Sequence, residues 1–208
     1  MIELLTANTP NGKKISIMLE EIEFNYKLTK ININKDEQFK PEFKKISPFS
    51  KTPVIIDHET KTSLFETGAI LIYLAEKSGK FYNKDRRTII NQWLFGQAAY
   101  VGPMLGQHHQ FHYYNPGKSA FGENRYFKIS ERIYRELDGR LASSKFLAGD
   151  DYTIADIATF PWIARHEWHD IGLNKYKNLA KWYQEISNRK AVQKGYDLLK
   201  KGEVIPKV

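Results

Sequence analysis

The chain opens with short segments that alternate between two hydrophobic periods. Ile2 to Leu5 is an apolar run that predicts a strand. Gly12–Glu23 follows, with Ile15, Met18, Leu19 and Ile22 on one face of a 3.6-residue repeat, and predicts a helix. Tyr26–Ile33 predicts a second strand. Its apolar positions fall in two registers, Tyr26 with Leu28 and Ile31 with Ile33, which a bulge near Thr29 would reconcile. Gln38–Lys45 reads as short and helical or irregular. Val54–Asp57 and Ser63–Phe65 predict strands around a polar turn. Glu66–Ser78 predicts a helix striped by Ile70, Leu71 and Leu74 and stopped by Gly79. The order is βαβ, then ββα, which predicts a small mixed sheet with helices packed on it.

Beyond Gly79 the strand period disappears. Residues 80–85 are mostly polar and carry no repeat, so they read as a linker. Helical spacing then covers Arg86–His112, with a kink expected at Gly102-Pro103. It continues over Ala120–Ala142, Thr153–Trp168, Tyr176–Asn188 and Ala191–Lys200. The expected organisation is an α/β domain over 1–79 and an all-helical domain over 86–208.

Composition narrows the chemistry. The 208 residues include no cysteine, so disulfides and a cysteine nucleophile of the protein's own are excluded. Thiol chemistry then requires a thiol carried by a ligand. The net charge is +8, but the basic residues are scattered and no recognition motif accompanies them, so no nucleic-acid partner is expected. Pairs such as Lys13-Lys14 read as solvated faces. No apolar run approaches the roughly 20 residues that span a bilayer, and no leader pattern opens the chain. The expectation is a cytoplasmic protein without a membrane partner.

Three junctions between a strand and a helix carry candidate chemistry. Thr9-Pro10-Asn11-Gly12 lies where the first strand runs into the first helix. It admits plain capping, with Asn11 as the N-cap, or donation from the Thr9 hydroxyl or the Asn11 amide to a bound anion such as a thiolate. Thr52-Pro53 precedes a strand, and a cis bond there would let the Thr52 backbone pair with a peptide ligand. Glu66-Thr67 opens a helix, where Thr67 can cap and freed N–H groups can hold a carboxylate. Thr153 followed by Asp156 matches a capping box and reads as structural. His108 and His112 share a helix face, but the sequence places no further ligand beside them, so no metal is expected. Tyr100, Phe111, Tyr113, Tyr114, Trp162 and Trp168 admit both a substrate pocket and ordinary core.

Together these motifs resemble the cytosolic glutathione transferase superfamily over essentially the whole chain. Thr9–Lys14, Gln38 with Pro41-Glu42-Phe43, Ile46-Ser47-Pro48, Phe65–Ile70 and Gly102–Gln107 are similar to the nu class, the bacterial disulfide-bond reductases related to a fungal nitrogen regulator. That resemblance implies a thioredoxin-like N-terminal domain, an all-helical C-terminal domain, a homodimer and a cis Pro53. It implies glutathione or glutathione disulfide as co-substrate. Thr9 and Asn11 would sit at the reactive sulfur. Gln38, Thr52 and Pro53 would hold the glutathione backbone, and Glu66 and Thr67 its γ-glutamyl end. Gln92 and Arg125 would meet a second glutathione. The implied activity is glutathione-dependent disulfide-bond oxidoreduction. Transfer to electrophiles, reduction of organic peroxides, and a non-catalytic glutathione-binding module are the alternatives.

Overall fold

A computed structural model describes residues 1–208. Strand β1 (Ile2–Thr6) leads into helix α1 (Pro10–Ile22), and β2 (Tyr26–Lys30) follows. A short α2 (Pro41–Lys44) precedes β3 (Val54–Asp57), β4 (Thr62–Phe65) and α3 (Thr67–Ser78). The sheet order is β2-β1-β3-β4, with β1 parallel to β2 and the other pairs antiparallel. This is the thioredoxin-like arrangement. Ile2 and Leu4 of β1 and Val54 and Ile55 of β3 form the buried centre of the sheet. Gly79 ends α3 in the left-handed region at φ 71°.

The expected bulge in the second strand is absent. β2 pairs with β1 in one unbroken register from Tyr26 to Lys30. Ile31 and Ile33 lie beyond the strand, and Ile33–Lys35 forms a 3₁₀ turn capped by Asn32. The change of register in the apolar pattern therefore marks the strand's end.

The remaining helices are α4 (Arg87–Gly96), α5 (Gly102–His108), α6 (Ala120–Leu141), α7 (Ile154–Ile163), α8 (Lys177–Ser187) and α9 (Lys190–Asp197). The disturbance expected at Gly102-Pro103 falls one turn earlier, as a π-helical stretch over Gln97–Val101. The Gly102 N–H donates to the Gln97 carbonyl, five residues back. A proline ring crowds the carbonyl four residues before it, and a widened turn makes room. A second π-helical stretch covers His109–Tyr114. The helix expected over Thr153–Trp168 ends at Ile163. Its continuation breaks into turns, and Asp170 and Gly172 follow with positive φ.

Helix α7 is buried along its whole length and packs with α4, α5 and α8. The expected capping box is present at its start. Asp156 does more than cap. Its carboxylate accepts from the Thr153 N–H and hydroxyl (3.0 Å each), the Leu147 N–H (2.9 Å) and the Trp182 indole N–H (2.9 Å). Four donors are what a buried carboxylate needs.

Two compact units result. One is Met1–Tyr82 with Arg189–Val204, and the other is Asn83–Asn188 with Ile205–Val208. The boundaries expected from the sequence place all of 86–208 in the helical domain, whereas α9 packs on α1 in the first unit. Close backbone approach explains this. A side chain at Gly195 would lie 2.6 Å from the Ile17 Cα, so only glycine lets α9 sit there. Ser16 Oγ then reaches the Gly195 carbonyl at 2.6 Å, and Arg189 pairs with Glu21 through two bonds of 2.6 and 2.8 Å. No helix is long and apolar enough to cross a membrane.

Candidate glutathione site

The first unit gathers seven of the nine candidate site residues. Thr9 is the N-cap of α1, with extended backbone, and its Oγ1 accepts from the Gly12 N–H at 3.1 Å. The cap is therefore Thr9 and not Asn11, which stands in the first turn after Pro10, half-buried. Capping uses one lone pair of the Thr9 hydroxyl and leaves its hydrogen to be given outward. Pro10 has no N–H and Gly12 gives its own to Thr9, so what the helix start adds is the positive end of its dipole, which favours negative charge.

The Thr52–Pro53 peptide bond is cis. Thr52 lies just ahead of β3, and the loop before it is pinned by Ser47. The Ser47 hydroxyl donates to the Lys51 carbonyl (2.8 Å) and accepts from the Lys51 N–H (3.0 Å). Gln38 sits in the 3₁₀ turn Glu37–Phe39. Its amide nitrogen reaches the Ile33 carbonyl at 3.4 Å, while its Oε1 is buried without a partner. An orphaned buried acceptor of this kind suits a donor supplied by a ligand.

Glu66 occupies the N-cap position of α3 with φ 67°, outside the range that a glutamate prefers. Its side chain makes no cap bond and is exposed. Thr67 is therefore the first residue of α3, not its cap. It is 8% exposed, and its Oγ1 accepts from the Lys14 ammonium at 3.2 Å. Sequence reasoning missed Lys14. It also treated Lys13-Lys14 as a solvated face, yet the two are 0% and 2% exposed. Lys13 donates to the Tyr196 carbonyl (2.7 Å) and pairs with Glu203 (2.9 Å). The available signal was spacing: Lys14, Met18 and Ile22 recur every four residues along the apolar stripe.

Gln92 on α4 and Arg125 on α6 belong to the helical unit and are both exposed. The Arg125 guanidinium lies 5.9 Å from the Tyr126 ring centre. In the same unit His108 and His112 stack at 4.9 Å, and His108 Nε2 bonds the His169 carbonyl at 2.9 Å. Burial, then the charges of Arg165, His108 and His112, hold the His109 imidazole down to about 3. Of the aromatic candidates, Trp162 is buried, while Tyr113 stacks on Trp168 at 4.1 Å and stays partly exposed.

Comparison with known proteins gives the family. The profile described as "Glutathione S-transferase, N-terminal domain" matches residues 2–76, and "Glutathione S-transferase, C-terminal domain" matches residues 122–190. The chain belongs to the glutathione S-transferase family. It is 44% identical to the disulfide-bond oxidoreductase YfcG of Escherichia coli, over 96% of this chain and 95% of that protein. A glutathione transferase from Burkholderia graminis, solved with two glutathione molecules per subunit, superposes with a TM-score of 0.89 at 35% identity. That match covers 97% of this chain and 89% of the other. A Pseudomonas putida transferase holding one glutathione disulfide per subunit gives a TM-score of 0.89 at 36% identity, covering 97% and 92%.

Proposed function

We propose that this glutathione S-transferase family member is a nu-class disulfide reductase that works with a borrowed thiolate. The observation that carries the reading is the start of α1. There Thr9 caps the helix and Asn11 follows in its first turn, in a chain with no cysteine. The relative named as a disulfide-bond oxidoreductase supports the same chemistry.

In the proposed exchange, a glutathione thiolate attacks one sulfur of a disulfide, forming a new S–S bond and expelling the other sulfur as thiolate; a second glutathione repeats the attack, leaving glutathione disulfide and two reduced substrate thiols. The protein's part is electrostatic. A free thiol near pKa 8.5 is only a few per cent ionised at neutral pH, and lowering its pKa by two units takes about 2.7 kcal/mol. Hydrogen bonds to a charged group contribute about 1.5–3 kcal/mol each, and a helix terminus adds about 0.3–1 kcal/mol. Hydrogen bonds from Thr9 and Asn11 with the dipole of α1 are sufficient for that. Gln38 and the Thr52 and Pro53 backbone receive the peptide, and Glu66 and Thr67 its γ-glutamyl end. Gln92 and Arg125 are assigned to the second glutathione, where Arg125 offsets carboxylate charge. The same reading carries a homodimer in the cytoplasm.

A substrate panel tests it. With glutathione, hydroxyethyl disulfide is expected to turn over faster than chlorodinitrobenzene is conjugated or an organic peroxide is reduced. The reverse ranking would assign the site to conjugation or peroxide reduction, and binding with no turnover would make it a glutathione-binding module.

A further inference from the structure

Lys14 enters the interior on α1 three residues past Asn11, and its ammonium donates to Thr67 Oγ1 on α3 at 3.2 Å. Burying an ammonium is unfavourable unless something repays it. Burial presses this amine down to about 7, against the pull of the Glu66 carboxylate. The packing of α1 on α3 does not itself call for a charge, since an unbranched apolar side chain of similar length would fill the same space. The hydroxyl it meets belongs to a residue already placed at the γ-glutamyl end of the ligand. A hydroxyl that accepts from an amine keeps one hydrogen, and that hydrogen must point away from the amine.

We propose that Lys14 is a positioning residue for glutathione: by fixing Thr67 Oγ1 as an acceptor, it aims the Thr67 O–H at the γ-glutamyl α-carboxylate and neutralises that carboxylate from behind. The inference rests on the glutathione reading above. It adds a buried basic group behind the γ-glutamyl end, where the other assigned side chains are Glu66 and Thr67. It also explains why the apolar stripe of α1 is interrupted by a lysine.

The test is a ligand-by-variant cycle measured by calorimetry. The wild type and Lys14→Met are titrated with glutathione and with 4-aminobutyryl-Cys-Gly, which keeps the amine but lacks the carboxylate. Lys14→Met is expected to weaken glutathione about tenfold, the size of one hydrogen bond to a charged group. The analogue should change by less than about twofold, and kcat at saturating glutathione should hold. Equal losses with both ligands would mean a purely structural role and overturn the proposal, as would undiminished glutathione affinity. If Lys14→Met does not fold, Lys14→Gln runs the same cycle with the same readouts. Failure of the wild type to bind glutathione would overturn the underlying reading, a result distinct from either.

Discussion

Thr9 and Asn11 share the start of α1 but have different work. Thr9 is committed to the helix through the Gly12 N–H, so replacing it removes a cap worth about 1 kcal/mol along with a donor. Asn11 is not the cap, so its replacement tests the proposed contact with the sulfur more cleanly. Asn11→Ala is expected to raise the pKa of bound glutathione thiol by about one unit, the loss of one modest hydrogen bond. Thiolate absorbance followed against pH measures this; an unshifted curve would remove Asn11 from the mechanism. At this scale the sequence disclosed residue types and spacing, but not which of two neighbours caps. That choice depends on where the chain leaves the extended region, and Thr9 sits at φ −132°. The positive φ of Glu66 was likewise hidden, because glutamate carries no compositional sign of it.

Among the elements, β3 and α3 are tied together by a buried carboxylate. Asp57 accepts from the Tyr73 hydroxyl (2.6 Å) and the Glu59 N–H (2.9 Å), and pairs with Lys77 at 3.1 Å. Burial pushes its carboxyl up, but Tyr73, Glu59 and Lys77 outweigh it and hold the group at about 2. The unfolded value is about 3.9, so the native state binds the proton less readily. The stabilisation is therefore complete above about pH 4 and is lost as pH falls toward 2. Melting temperature is expected to drop through that window, and Asp57→Asn to flatten the slope there; an unchanged slope would exclude Asp57 as its source. The strand and the helix were both legible from period and turn residues. Their tie was not, because Asp57, Tyr73 and Lys77 are polar residues that the hydrophobic pattern skips.

In the molecule as a whole, the first unit is closed by a segment from the far end of the sequence. Gly195→Ala would place a methyl 2.6 Å from the Ile17 Cα and 2.7 Å from its nitrogen. Those contacts are backbone, so α9 must move off α1. The variant is expected to lose about 2–4 kcal/mol in denaturant unfolding and to weaken the proposed glutathione binding through α1, although residue 195 is not among the assigned site residues. Wild-type stability in Gly195→Ala would show that α9 is dispensable to the first unit.

The sequence by itself determined the βαβ-ββα order, the helical remainder, the capping box at Thr153 and the absence of any thiol. Each of these follows from local period, turn chemistry or simple composition. Tertiary structure decided that Lys13 and Lys14 lie inside, that Arg189–Val204 returns to the first unit, and that Thr67 receives a lysine. A buried charged side chain needs partners, and for Lys13 they are distant in sequence. Tyr196 and Glu203 lie more than 180 residues away, and no local pattern reaches that far.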